Sequence, residues 1–311
     1  MNSAHPHDDS TRGQGAVHVP GGRLLPDHWT GLAALASAHR ADIQITPRGG
    51  MRISRDGGAA VPAAEFAAAG LPAGLADPRA RDILASPMAG RLPGHHDLAD
   101  LPERLASALL EHASETGRGS DVLFGLDDGS GDVLAHSPDL AAAVASSEHV
   151  RIHVAGRDVG FLAPAEDAAT VLVEVAIEFW TESYGGERMP VSGRMHDVVV
   201  DLLGSHPLTA SAFSDAGSTT SVDERPVEAP RVGWVDTSDG LVSLLAVVPH
   251  GLVPARLAEF LGAIERPSTI SADRVIGLHE LTEGMAEQVV RVLAPMGMIF
   301  DVDSPWATGS A

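Results

Sequence analysis

One order of elements occurs twice in this chain, and that duplication restricts the fold more than any other feature of the sequence. The first copy reads "GAVHVPGGRLLPDHWTGLAALASAHRADIQITPRGGMRIS" from Gly15, followed by "AAEFAAAGL". The second reads "GLVSLLAVVPHGLVPARLAEFLGAIERPSTISADRVIGLHEL" from Gly240, followed by "MAEQVVRVLAPMGMIF". Each opens with an apolar strand that stops at a proline, Pro20 or Pro249. A glycine turn and a second proline follow, Pro26 or Pro254, placed where proline suits a first helical turn. An amphipathic helix comes next, carried by Leu32, Leu35 and Ala36 or by Leu257, Phe260 and Leu261. Two short strands then flank an arginine turn, and a second helix closes the unit. Arg40 to Arg48 and Arg266 to Arg274 have the same spacing, which predicts equivalent positions. The unit is β-α-β-β-α, and the fold class is α+β.

A different module lies between the copies. It opens with "RARDILASPMAG", continues through the helix "LADLPERLASALLEHA" and reaches "SDVLFGLDDGSGDVLAH", which reads as a hairpin with an Asp/Gly-rich turn. Two strands follow, "HVRIHVAG" and "DVGFLAP", then a helix from Glu166 to Glu182 and a second, "MHDVVVDLLG". The stretch after Gly204 is rich in Ser, Thr, Pro and Asp without period. The predicted organisation is therefore a disordered tail over 1–14, the first unit over 15–74, the middle module over 75–204, a linker over 205–229 and the second unit over 230–311.

Composition then excludes several chemistries. The 311 residues carry a formal net charge of −21, which disfavours nucleic acid and anionic membranes as partners. No apolar run reaches the roughly 20 residues of a membrane helix, and the N-terminus has no signal-peptide pattern, so a cytoplasmic location is expected. The chain has no cysteine, which removes thiolate nucleophiles, disulfides and thiolate-held metal sites. All 21 of its lysine-plus-arginine residues are arginine, so Schiff-base chemistry and phosphate-loop lysines are excluded as well. Genome composition alone accounts for such a bias, but any anion this chain holds falls to arginine or backbone.

The candidate positions follow from that. The turn "TPRGGMRIS" sets Arg48 and Arg52 about a Gly-Gly pair, either as an anion site or as a tight turn with solvated arginines. "DDGSGD", Asp127 to Asp132, lacks the ligand spacing and distal glutamate of a calcium loop. His149, Arg151 and His153 share one face of a strand, but no third metal ligand is near in sequence. His95 and His96 precede Asp100, a helix-capping candidate. No Gly-x-Ser-x-Gly nucleophile elbow is present. No metal site is predicted, and the residues alone leave the catalytic groups unassigned.

Taken in order, "VHVPGGRL", "ITPRGGMRI", "AAAGL", "RDILASPMAG", "LDDGSGDV", "VAGRDVGF" and the ending "APMGMIFDVDSPWATGSA" resemble the nitrite and sulfite reductase family. Within it, the precorrin-3B synthases of aerobic cobalamin biosynthesis are most similar. The resemblance runs from about Gly15 to the last residue, apart from the linker. It implies ferredoxin-like half-domains flanking a module that holds sirohaem or a precorrin-type tetrapyrrole. It also implies that Arg48 and Arg81, with Arg52 as a third, hold carboxylates of the macrocycle. The family reaction it points to is oxidative: hydroxylation and lactone formation on precorrin-3A.

Two departures qualify that implication. The lysines that bind sulfite or nitrite in the reductases have no counterpart beside Asp121, Val122 and Leu123, which disfavours anion reduction. The cysteines that hold a 4Fe-4S cluster in the family follow the segment matching "DSPWATGSA" and are missing here. Three functions are therefore expected in descending order: a precorrin-3B synthase-like oxidoreductase, a non-catalytic tetrapyrrole-binding protein or heteromer subunit, and a sirohaem reductase. The apolar ending around Trp306 is expected either to be poorly covered or to be buried against a partner chain, a second copy in a dimer or a cluster-bearing subunit.

Overall fold

The computed structural model describes residues 16–53, 59, 61–77, 82–116, 122–183, 194–211 and 232–307. The first unit runs β1 (Ala16–Val17), a 3-10 turn at Pro20–Gly22, β2 (Arg23–Leu24), α1 (Pro26–His39), β3 (Ile43–Ile45), β4 (Met51–Ile53) and α2 (Ala63–Ala68). The second unit runs β12 (Val242–Val247), a 3-10 turn at Pro249–Gly251, β13 (Leu252–Val253), α6 (Ala255–Ala263), β14 (Ser268–Ile270), β15 (Val275–Leu281) and α7 (Glu283–Leu293), with β11 (Gly233–Asp236) ahead of it. The middle module comprises β5 (Ile83–Ala85), α3 (Leu101–Thr116), β6 (Phe124–Asp127), β7 (Leu140–Val144), β8 (His149–Val154), β9 (Arg157–Pro164), α4 (Ala168–Ser183), α5 (Arg194–Ser205) and β10 (Ala210–Ser211). The architecture is α+β, with three sheets.

The two units exchange strands. One sheet has the order β1-β4-β3-β13 and another β11-β12-β15-β14-β2, so each unit lends its second strand to the other. The registers correspond: Leu252 faces Gln44 and Val253 faces Ile43, while Arg23 faces Thr269 and Leu24 faces Ser268. The pairings Ala16 with Arg52 and Leu245 with Gly277 match in the same way. This is a pseudo-twofold arrangement. The proline-glycine turns make the exchange possible: Gly21 and His250 sit at φ 59° and 57°, Gly22 and Gly251 at 67° and 69°. A Cβ on Gly22 would lie 2.0 Å from the Ile270 carbonyl oxygen. Trp29, Leu32 and Met51 of one unit and Leu257, Leu261 and Ile276 of the other consequently belong to one core.

The arginine spacing does not mark the structural repeat. Thr46 N–H donates to Gly50 O and Gly49 N–H to Thr46 O; the matching bonds run from Ser271 to Val275 and from Arg274 to Ser271. Arg274, at φ 62°, therefore occupies the position of Gly49, at φ 72°, and Asp273 that of Arg48. At the end of the preceding helix, Glu265 (φ 55°) rather than Arg266 corresponds to Arg40 (φ 50°). The spacing coincides because arginine shifts by one place at both positions.

The middle module is a six-stranded sheet, β10-β9-β8-β7-β6-β5, with its own core. The expected hairpin over "FGLDDGSGDVLAH" is not formed: β6 runs parallel to β7. Asp127 causes the difference. Its fully buried carboxylate accepts the N–H groups of Gly129, Gly131, Val133 and Leu134, which folds the loop onto the strand end instead of turning it back. At the start of the stretch expected as a linker, Ala210–Ser211 pairs with Leu162 and Phe161 as an edge strand. Residues 1–15 and 212–231, covering the expected tail and most of that linker, lie outside the described residues.

The module docks through a small third core. Met88 and Leu92 cover Leu245, Val247 and Val275 on the outer face of the second unit's sheet, beside Ala307 and the partly buried Ile299 and Trp306. Trp306 meets the His250 ring edge-on at 4.6 Å. Among the described residues no helix is long and apolar enough to cross a membrane.

Candidate functional site

Strand alternation separates two faces of the first unit's sheet. Val17, Ile43, Ile45, Met51 and Ile53 point into the shared core and are fully buried. The registers put Ala16, Gln44 and Arg52 side by side on the other face. His18 continues that face, and the Arg48 turn closes its end. The corresponding residues of the second unit are Leu245 for Ala16, Val247 for His18, Val275 for Gly50 and Gly277 for Arg52. At these positions one unit thus presents an apolar patch that the module covers, and the other presents polar residues.

Asp82 organises the polar face. Its Oδ2 lies 3.1 Å from Arg48 Nε and its Oδ1 2.7 Å from His18 Nδ1. The carboxylate is 17% exposed and the Arg48 side chain 36%, so the pair sits at a boundary, with one edge of the guanidinium toward solvent. The turn presses against the same segment, since a Cβ on Gly49 would come within 2.9 Å of Leu84 Cδ2. Gln44 Nε2 donates to the carbonyls of Ile45 and His250, linking the face to the second unit's turn. The Arg52 Nε is buried and has no hydrogen-bond partner among the described residues. A buried guanidinium nitrogen without an acceptor is costly, and an acceptor supplied by a ligand would relieve it.

The structure thus places Arg48 and Arg52 on one turn and its strand. Arg81 lies outside the described residues, but its neighbour Asp82 is the partner of Arg48. Sequence reasoning missed Asp82 and His18. The signal for His18 was present, as a lone polar residue in the strand "VHV". Nothing in the sequence singled out Asp82.

Internal contacts engage several of the other candidates. Asp128 is fully buried, with Oδ2 2.8 Å from His95 Nδ1 and Oδ1 accepting the Ser130 N–H. Asp132 accepts from Ser86 Oγ at 2.5 Å and from the Val133 N–H, and burial pushes its carboxyl up to about 6. One oxygen from each of Asp127, Asp128 and Asp132 lies within 4.8 Å of the others, close enough to share a cation, and each carboxylate also accepts internal hydrogen bonds. His153 shares a face with His149 and Arg151, but it is 4% exposed, and burial lowers its pKa. Asp100 Oδ1 accepts from Arg104 Nε of α3 at 3.0 Å.

For a tetrapyrrole the residues fit: an orphaned guanidinium nitrogen, a second arginine fixed by Asp82 and a polar sheet face are what acidic side arms require. For a 4Fe-4S cluster they do not, because the chain contains no cysteine.

No protein-family description and no curated protein matches the chain by sequence. Among solved structures, that of the Mycobacterium tuberculosis NirA protein is similar, with a TM-score of 0.63 at 13% identity over 92% of this chain. The chain therefore shares the fold of the NirA protein. This chain spans 57% of the length of the NirA chain.

Proposed function

We propose that the chain binds a carboxylate-rich tetrapyrrole on the polar face of the first unit, as a precorrin-3B synthase-like protein of cobalamin biosynthesis. The observation that carries this reading is the Arg52 Nε, buried and without an acceptor, beside the anchored Arg48. Arg48, Arg52 and, by resemblance, Arg81 would hold the acid side arms, and the rigid strand ends would fix the orientation of the macrocycle. Bound there, a sirohaem or precorrin supplies the redox-active or oxidisable ring. The protein's own part is to grip the carboxylates and shield one edge of the ring from water.

The missing cysteines favour a second reading, in which the chain binds tetrapyrrole without turning it over or contributes one subunit to a cluster-bearing assembly. Visible absorption on titration with sirohaem and with uroporphyrin tests the binding. Arg52→Gln is expected to weaken it by about 1.5–3 kcal/mol, the worth of a charged hydrogen bond. Equal affinity for wild type and Arg52→Gln would sink the assignment. Turnover of precorrin-3A by the purified chain would separate the two readings in favour of an enzyme.

A further inference from the structure

The second unit carries an irregularity that the tetrapyrrole reading leaves unused. Val242 pairs with Leu281 but Leu244 with Leu278, so β15 holds one extra residue. Leu278 and Leu281 both reach the core, and the bulge turns His279 and Glu280 together to the outer side. Glu280 adopts φ 60°, strained for a residue with a side chain, and Arg266 Nε holds its carbonyl at 3.1 Å. His279 is fully buried between Ser243 Oγ at 2.9 Å and Thr269 Oγ1 at 2.8 Å. Only glycine at 277 leaves room for this, since a Cβ there would lie 2.6 Å from Thr269 Oγ1 and 2.8 Å from the His279 ring.

Above that base is a cleft of about 290 Å³, lined by Arg91, Thr237, Ser238, Asp239, Ser243 and Glu280. Two parts of the chain are clamped together across it, because the Arg91 carbonyl accepts the Ser238 N–H at 2.9 Å. The Arg91 side chain is underused. Nη1 makes a 3.4 Å bond to Ala89 O, Nη2 lies 3.8 Å from Glu280 Oε1, and the buried Nε has no partner among the described residues. Asp239 is preset, its Oδ1 accepting from Thr237 Oγ1 at 2.5 Å and from the Leu241 N–H at 3.1 Å. A single guanidinium therefore faces two carboxylates.

An anion alone would meet two like charges here, and a cation alone would leave the guanidinium nitrogen orphaned. We infer that this cleft binds a small zwitterion of the α-amino acid class, its carboxylate on Arg91 and its ammonium on Asp239 and Glu280. The bulge, the strained Glu280 and the clamp between Arg91 and Ser238 hold these groups in place before the ligand arrives.

Serine, serinamide and glycerate form a matched series that tests this, since the last two lack one charge each. Calorimetric titration of the whole chain with serine, followed by a panel of other amino acids, is expected to give saturable binding below about 10 mM. Serinamide and glycerate should bind at least about tenfold more weakly. Arg91→Gln and Asp239→Asn should each cost a similar factor without shifting the melting temperature, because Arg91 clamps Ser238 through its backbone and Asp239 is exposed. The inference is overturned if no amino acid in the panel saturates, if glycerate or serinamide matches the zwitterion, or if both variants bind as wild type does.

Discussion

Asp132 is where a single proton changes stability. Its carboxyl titrates near 6 in the folded chain and at about 3.8 when free, mainly because burial disfavours the charged form. Folding therefore favours the protonated acid. The stability this gives is complete below about pH 4 and is lost as pH rises through 6, after which the cost is constant. Asp132→Asn keeps the shape, removes the proton and is expected to raise stability at pH 7.5 by up to about 3 kcal/mol. At pH 4 it should change little. Chemical denaturation at both values measures the difference, and an unchanged pH slope would refute the account. His136 moves the other way: hydrogen bonding to Asp273 raises its pKa, so this contact between module and second unit strengthens as pH falls through the histidine range. Asp82 matters through its two contacts, to Arg48 and to His18. Asp82→Asn should loosen both Arg48 and His18, and so weaken the tetrapyrrole binding proposed for this face, as the visible titration would read.

At the scale of elements, the exchange turn at Gly22 makes the closest approach of any described glycine. Gly22→Ala combines a left-handed backbone with a methyl driven into the Ile270 carbonyl, and is expected to cost more than about 3 kcal/mol. Gly240→Ala supplies the control. It has φ 80° but open space around the new methyl, so about 1 kcal/mol is expected from backbone strain alone. Thermal melts of the pair decide the point; equal losses would mean the exchange turn tolerates displacement. Much of this was legible in the sequence, because Pro20-Gly21-Gly22 and Pro249-His250-Gly251 punctuate the two units alike. The element order and helix positions were readable for the same reason. What was not readable depended on distant partners. The Asp127 carboxylate converted an apparent hairpin into a parallel crossover, and the one-place shift of arginine between the turns was invisible until their hydrogen bonds were compared. The candidate site was half legible: arginines announce themselves in a lysine-free acidic chain, whereas Asp82 and the Arg91 cleft arise only where three segments meet.

For the whole molecule, the shared core makes the two units one cooperative body. Leu257 of the second unit is 2% exposed and belongs to the same core as Trp29 and Met51 of the first. Leu257→Ala is expected to cost about 2–5 kcal/mol. Hydrogen exchange should then show β3 and β4 losing protection together with β14 and β15, in spite of their separation in sequence. Retained protection in the first unit alone would mean that the units unfold independently. The middle module, with its separate core, is expected to keep more of its protection.

The lent strands also set a timetable. Trp29 donates to the Ser268 hydroxyl, 239 residues ahead of it, and Ser268 in turn bonds the Leu24 carbonyl across 244. During synthesis at about 5–20 residues per second, the first unit waits on the order of ten seconds or more for the strand that completes its sheet. Throughout that interval the edge of β3 awaiting β13 is an open template for other chains. A nascent chain of this design is thus most vulnerable midway through its own translation, and a pause placed between the copies would lengthen that exposure.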